Sequence, residues 1–251
     1  MNRDHRHDYS LRFEWGLSGA TAVASDADVA VVVDVLSFTT TLSVAIDAGI
    51  EVLPYRWRDA SAVQYAAAHD AVLAVDRSAA APGSISLSPG TIRSAQGIDR
   101  LVLPSPNGSS IAYELNSSVA VCLGASLRNA RAVAEWISDN YTKDTVVAVI
   151  AAGERWPDDT LRPAVEDHWG AGAVIAALIS RGWTASPEAE VAALAWKVVS
   201  GEVASALCGC RSGRELVTAG YAEDVAIAAE VDHSRSVPVL REHRFVNSTN
   251  A

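Results

Sequence analysis

Acidic residues and hydroxyl-rich turns recur in this chain where apolar runs end. Ala30-Val31-Val32-Val33 leads into a single carboxylate, Asp34. Ser37, Thr39, Thr40 and Thr41 follow, and then an amphipathic segment with Leu42, Ala45 and Ile46 that Gly49 is placed to end. A continuous β-branched run suits a strand covered on both faces. That puts Asp34 at the carboxyl end of the strand, where open α/β sheets bind ligands. Thr39, Thr40 and Thr41 either cap the next helix or, with its first amides, hold an anion. A carboxylate beside an anion cradle suits metal-assisted phosphoryl chemistry; the plainer reading is that Asp34 caps the turn.

Further clusters carry the same ambiguity. Asn107-Gly108-Ser109-Ser110 is a turn feeding a helix. Its amides form either a phosphate cradle or an ordinary Asn-Gly turn with a serine cap. Adjacent Glu166 and Asp167 open another helix. They suit Mg²⁺, which takes one or two carboxylates plus waters, or they simply place negative charge at a helix amino terminus. Arg77 follows an apolar run and forks either onto a phosphate or sulfonate, or onto Asp76 or another carboxylate. Glu154 and Arg155 follow Gly153 in a similar way, and His168 reads as a packing residue. Cys122 and Arg128 stand at the Cys-x5-Arg spacing of thiol phosphatases, with one glycine between them and no preceding histidine. Cys208 and Cys210 are a weak soft-metal pair, and His5 and His7 lie in a polar leader.

The elements that must position these residues follow from periodicity. Strands are expected at 11–19, 29–36, 51–55, 71–75, 100–103, 119–123, 145–151 and 225–231. Helices are expected at 38–48, 59–69, 111–115, 127–140, 170–180, 187–200 and 211–219. Their alternation implies an α/β fold with a largely parallel sheet. Asp34, Asp76-Arg77, Ser105 to Ser110, Gly153-Glu154-Arg155 and Glu166-Asp167 then fall at or beyond strand carboxyl ends, and in a parallel sheet those ends share one edge. Residues 1–10 read as a flexible tail and 11–245 as a single α/β domain, without repeat or linker.

Composition narrows the function. The chain has 251 residues, 49% of them hydrophobic, enough for a substantial core. A net charge of −10 and a pI near 5.0 argue against nucleic acid, which needs a basic stripe, but leave room for a small anionic ligand. No apolar run reaches the ~20 residues that span a bilayer, and the amino terminus lacks the apolar core of a signal peptide. Three cysteines form no closed disulfide framework, so a cytoplasmic location is expected. A homodimer is expected only from the frequency of twofold assemblies.

Several segments, in order, resemble the 2-phosphosulfolactate phosphatase family over roughly residues 29 to 240. They are Val32-Val33-Asp34-Val35-Leu36 with Thr39-Thr40, Asn107-Gly108-Ser109, Ser126-Leu127-Arg128-Asn129-Ala130 with Val133-Ala134, and Ala151-Ala152-Gly153. Glu166-Asp167 with Gly170-Ala171-Gly172-Ala173, and Gly220-Tyr221-Ala222-Glu223-Asp224-Val225, complete the set. The resemblance implies a three-layer α/β/α phosphatase that uses Mg²⁺ to hydrolyse 2-phosphosulfolactate to sulfolactate and phosphate, a step of coenzyme M biosynthesis. On that reading Asp34, Glu166 and Asp167 hold the metal and do the catalysis. Thr39, Thr40, Asn107, Gly108 and Ser109 supply donors to phosphate, and Arg77 binds a second anionic group of the phospho-acid.

The chain departs from the family pattern in three places. Ser37-Phe38 stands where the family reads Arg-Ala, Val75-Asp76-Arg77 where it reads Gly-Glu-Arg, and Leu87-Ser88-Pro89 where it reads Asn-Ser-Pro. A lost charge-assisted contact costs about 1.5–3 kcal/mol of anion binding. Two alternatives therefore stand beside the metal phosphatase: a thiol phosphatase using Cys122 and Arg128, and a small-anion-binding relative without turnover.

Overall fold

The computed structural model describes residues 9–250 except 25, 57, 58, 82 and 117, so His5, His7 and most of the expected tail lie outside the described residues. Ser10, the last residue assigned to that tail, is buried, and its amide donates to the Thr184 carbonyl at 3.0 Å. In chain order come β1 (Leu11–Trp15), α1 (Gly16–Ala24), β2 (Val29–Val33), α2 (Phe38–Asp47), β3 (Glu51–Tyr55), α3 (Ala60–Ala68) and β4 (Val72–Leu73). Next are α4 (Pro89–Arg93), β5 (Arg100–Pro104), α5 (Gly108–Leu115), β6 (Val121–Ala125), α6 (Ala130–Asn140) and β7 (Val147–Ala151). The short strands β8 (Glu154–Arg155) and β9 (Leu161–Arg162) precede α7 (Val165–Ile179), α8 (Pro187–Val199), α9 (Val203–Gly209), α10 (Arg211–Thr218) and α11 (Ala222–Ala228). The described chain ends with β10 (Pro238–Arg241) and β11 (Arg244–Asn247).

Two expected strands need correction, and one hairpin has no counterpart in the sequence reading. The first strand stops at Trp15, because Gly16 turns the backbone to φ +60° and starts α1. The strand expected near 225–231 is mostly α11: buried Val225 and Ala228 lie three residues apart in an alanine-rich stretch, so helical spacing prevails over β-branching. The hairpin β10–β11 was not expected. Its two-residue turn, Glu242-His243, takes φ of 46° and 67°, the conformation that hairpins usually assign to Asn or Gly, so the usual signal is missing.

One nine-stranded sheet has the order β1-β7-β2-β6-β10-β11-β3-β5-β4. The pairs β1/β7, β7/β2, β2/β6, β3/β5 and β5/β4 are parallel. The pairs β6/β10, β10/β11 and β11/β3 are antiparallel. Three reversals make β3, β5 and β4 run opposite to β1, β7, β2 and β6. The ends of β2 and β7, which lead into Asp34 and Gly153-Glu154, share one edge as expected, but those of β5 and β4, which lead into Ser105 to Ser110 and Asp76-Arg77, point the other way, so a shared edge does not gather all of the loops.

Helix α5 joins them: it packs on both β2 and β3, four places apart in the sheet, and so bridges its two oppositely directed halves. Phe38 and Leu42 of α2, Ile111 and Leu115 of α5 and Ala20 of α1 fill this face of the sheet, the inner one, against Ala30, Val32, Leu101, Leu103 and Phe245. On the opposite face Val133, Ile137, Val174, Leu178 and Ala192 of α6, α7 and α8 cover Val29, Val31 and Val33. With α3 covering Leu53 and Val102, helices flank both faces of the sheet in a three-layer α/β/α arrangement.

The crossing of α7 and α8 depends on one missing methyl group. A Cβ at Gly172 in α7 would lie 2.0 Å from the Ala192 carbonyl oxygen in α8. Gly172→Ala is expected to destabilise the fold by about 1–3 kcal/mol or more, read as a lower urea midpoint. An unchanged midpoint would show that the two helices do not cross this closely.

Candidate functional site

Asp34 follows β2 and is only 5% exposed. Its Oδ1 accepts the Phe38 amide at 3.1 Å and its Oδ2 the Gly108 amide at 2.9 Å. Phe38 and Gly108 are the first residues of α2 and α5, so one carboxylate joins two helix amino termini, where negative charge is favoured. Gly108 permits the approach, since a Cβ there would lie 2.4 Å from Phe38 Cδ1 and 2.7 Å from Asp34 Oδ2.

Asp167, 3% exposed in the first turn of α7, acts in the same way. Its Oδ1 accepts the Val35 amide at 2.7 Å and its Oδ2 the Gly153 amide at 2.8 Å. It thereby ties the loops after β2 and β7 to α7. Glu166 beside it is 2% exposed and lies against the Cys210 thiol. A fourth acid, Glu154 on β8, joins them. Its Oε2 accepts Asn107 Nδ2 at 2.9 Å, and in the β8–β9 pairing it stands opposite Arg162.

Asp34, Asp167 and Glu154 bind their protons more tightly than exposed carboxyl groups do. Burial is the main cause of the upward shift at Asp34, offset by the Phe38 and Gly108 amides; Glu166 adds to the shift, and Arg77 opposes it. Asp167 is held well above the usual carboxylate range by burial and by Asp34 and Glu166. Burial and Asp34 push Glu154 up to about 7, with Arg162 and Asn107 opposing.

The expected phosphate donors divide into side chains that are committed and amides that are open. Thr39 Oγ1 donates to the Asp34 carbonyl at 2.7 Å, Thr40 Oγ1 to the Val35 carbonyl at 2.8 Å and Ser109 Oγ to the Leu103 carbonyl at 2.8 Å. A hydroxyl has one hydrogen to give, so these three side chains shape the loops and cannot also donate to a phosphate. The Gly108 amide is taken by Asp34 and the Thr39 amide by the Asp34 carbonyl. The backbone amides of Leu36, Ser37, Thr40, Ser109 and Ser110 have no hydrogen-bond partner among the described residues. The two helix starts therefore keep open donors.

Arg77 also reaches this region. Its Nε donates to Asp224 Oδ2 at 2.7 Å, and its Nη2 donates to Ser37 Oγ and, at 3.3 Å, to the Leu87 carbonyl. Its carboxylate partner is thus Asp224, not the neighbouring Asp76. Nη1 has no hydrogen bond to a described residue. Among the described residues no three His, Cys, Asp or Glu side chains form a ready metal cage. The donors present at Asp34, Glu166 and Asp167 are hard oxygens held in mutual repulsion, which suits a magnesium ion that keeps most of its waters.

The thiol alternative fails. Cys122 is buried in the apolar inner face, and burial pushes its thiol up to about 12, far from a nucleophilic thiolate. Arg128 is buried too, bonded to Ser43 at 2.9 Å and paired with Asp47 at 3.0 Å and with Glu230. Cys208 is exposed, whereas Cys210 is buried and accepts the Gly213 amide at 3.3 Å, so these two do not make a metal pair. His168 packs on Phe13 and Trp15 with ring centroids at 5.1 and 5.6 Å, as a packing residue should.

A carboxyl group whose folded pKa is raised contributes stability below its unfolded pKa, and loses that contribution as pH rises through the folded value. For Glu154 this window runs from 4.5 to about 7 and is worth about 3 kcal/mol at most. Without divalent cations, Glu154→Gln is expected to gain thermal stability relative to the wild type between pH 5 and pH 7.5. Calorimetry at several pH values measures the difference; one that shrinks with rising pH contradicts the burial of this acid.

Comparison with known proteins gives the family. The family model described as 2-phosphosulpholactate phosphatase matches residues 20–243. A protein of Thermus thermophilus named probable 2-phosphosulfolactate phosphatase is 32% identical over 217 residues, covering 85% of this chain and 88% of the relative. A protein of Deinococcus radiodurans with the same name is 27% identical over the same shares. The matched span runs from α1 to the β10–β11 turn and takes in Asp34, Glu154, Glu166 and Asp167, and with a match of that extent the chain belongs to the 2-phosphosulpholactate phosphatase family.

Proposed function

We propose that this chain is a phosphatase for a small acidic phosphate monoester, hydrolysing 2-phosphosulfolactate to sulfolactate and phosphate as the names of its relatives indicate. The observation that carries the reading is the junction at Asp34, where two helix amino termini with open amides meet a group of buried acids. Such amides suit a phosphate.

Mg²⁺ would be held by Asp34, Glu166 and Asp167, directly or through water, and when bound it neutralises phosphoryl charge and lowers the pKa of a water. The open amides of Ser109 and Ser110, with those of Leu36, Ser37 and Thr40, donate to the phosphoryl oxygens. Arg77 directs Nη1 to the second acidic group of the substrate. Ser37, whose oxygen accepts from Arg77, keeps its own hydrogen to donate beside it. Arg77 thus brings a guanidinium to the position where the family pattern has an arginine and this chain has Ser37. All three cysteines are free, which supports a cytoplasmic location. The reading also includes a homodimer and a place in coenzyme M biosynthesis.

The test is phosphate release from a panel of sulfonated and carboxylated phospho-acids, with Mg²⁺ and with EDTA. Release that needs Mg²⁺ and favours doubly acidic esters supports the reading. Ligand binding without release points to the non-catalytic alternative. Cys122→Ala is expected to keep the wild-type rate. Asp34→Asn is expected to abolish release and also to lower the melting temperature, because an amide cannot accept at both of its heavy atoms. One backbone N–H is then left facing an NH₂ group, at a cost of about 1–3 kcal/mol. Full release by Asp34→Asn would remove Asp34 from the site.

A further inference from the structure

Hydrolysis of an alkyl phosphate expels a strongly basic alkoxide, which leaves fast only if an acid protonates it. We infer that Glu154 is that acid, held in position by Asn107 and by the pairing of β8 with β9; the inference rests on the phosphatase reading above. The four carboxyl groups of the site are not equivalent. Asp34 and Asp167 each have both oxygens bound to backbone amides. Glu166 is enclosed against Cys210. Glu154 is only partly buried. One of its oxygens takes Asn107 Nδ2 at 2.9 Å, and the other has no partner among the described residues.

The supports of Glu154 are specific. Arg155 Nε donates to Asn107 Oδ1 at 3.4 Å, which orients the Asn107 amide so that its NH₂ faces Glu154. Asn107 immediately precedes Gly108, whose amide binds Asp34. Glu154 is therefore bonded to the residue two positions before Ser109, the first of the open amides of α5 that would hold the phosphate. The charged groups facing it are Asp34 from the β2 loop, Glu166 and Asp167 from α7, Arg162 from β9 and Arg155 on its own strand. A cation held by Asp34, Glu166 and Asp167 offsets their charges, so the assignment rests on the unpartnered oxygen of Glu154 and its Asn107 support.

The step balances. Water forms a bond to phosphorus as the bond to the ester oxygen breaks, and Glu154 passes its proton to that oxygen, giving the free alcohol and a Glu154 carboxylate. The phosphate product leaves the attack with both protons of the water and returns one to Glu154, so the acid is restored and hydrogen phosphate departs.

The test uses the full chain with Mg²⁺ and a series of phosphate monoesters graded from alkyl to nitrophenyl leaving groups. For Glu154→Gln, kcat is expected to fall by ~10²–10⁴-fold on alkyl esters and less than ~10-fold on nitrophenyl phosphate, with KM nearly unchanged. The rate then depends more steeply on leaving-group basicity than in the wild type. Asn107→Ala is expected to steepen it in the same direction by less, and it stands in if the glutamine variant does not fold. Equal losses on all esters, or no loss, overturn the role of Glu154 while the phosphatase reading stands. A wild-type chain that releases phosphate from none of them overturns both.

Discussion

The structure depends on a buried carboxylate shared between two helices. Asp34 takes the first amide of α2 and the first amide of α5, and these helices follow strands that run in opposite directions. Hydrogen bonds to a charged acceptor are worth about 1.5–3 kcal/mol each, and the helix amino termini add their own positive end. Burial opposes them strongly enough that the carboxyl binds its proton more tightly than usual. The ionised form at this junction is therefore held at a cost, and a cation beside it would remove that cost. The same interaction explains the glycine at position 108, since any side chain there would displace either the Phe38 ring or Asp34 itself.

The charge balance follows from this junction. Asp34, Glu154, Glu166 and Asp167 face one another, and the nearest guanidinium groups are already partly matched: Arg77 pairs with Asp224, and Arg162 lies 3.5 Å from Glu215. Asp224 is fixed in turn by the Ser88 hydroxyl. In their ionised form these acids repel a dianionic ester, and on the proposed reading a divalent cation held by Asp34, Glu166 and Asp167 supplies the opposing charge.

Much of this was legible in the sequence, for reasons that can be named. The run from Val29 to Val33 is apolar at every position because both faces of β2 are covered, and Asp34 stands out because it ends that run. Glu166 and Asp167 were visible as acids at a helix start. The direction of β3, β5 and β4 was not legible, because it depends on a hairpin whose turn residues, Glu242 and His243, carry no turn signal. The sequence offers Thr39, Thr40 and Ser109 as donors without telling hydroxyls from amides; the backbone carbonyls beside them show that the hydroxyl hydrogens are taken. Glu154 was noticed, but its pairing with Arg162 arises from two-residue strands that leave no periodic trace. Cys122 and Arg128 show the converse: the spacing was real, and burial removed its chemistry.

Asp167 extends the junction to the rest of the site. It binds the amide of Val35, next to Asp34, and the amide of Gly153, next to Glu154. Gly153 holds φ at +68°, and a Cβ there would lie 2.6 Å from Leu161 Cδ1 and 3.1 Å from the Arg162 carbonyl oxygen. The β8–β9 hairpin can therefore close on its base only with glycine at this position. Asp34 fixes the helix starts, and Asp167 fixes the hairpin relative to Asp34. Asn107 closes the ring by bonding Glu154 from the residue before Gly108. Asp34, Glu154 and Asp167 are thus linked through backbone amides and one side-chain amide, so a displacement at any of them is transmitted to the others. Two of these bonds, from Gly108 to Asp34 and from Asn107 to Glu154, cross from the loop after β5 to the loops after β2 and β7, whose strands run the other way, and so tie the two halves of the sheet into one site.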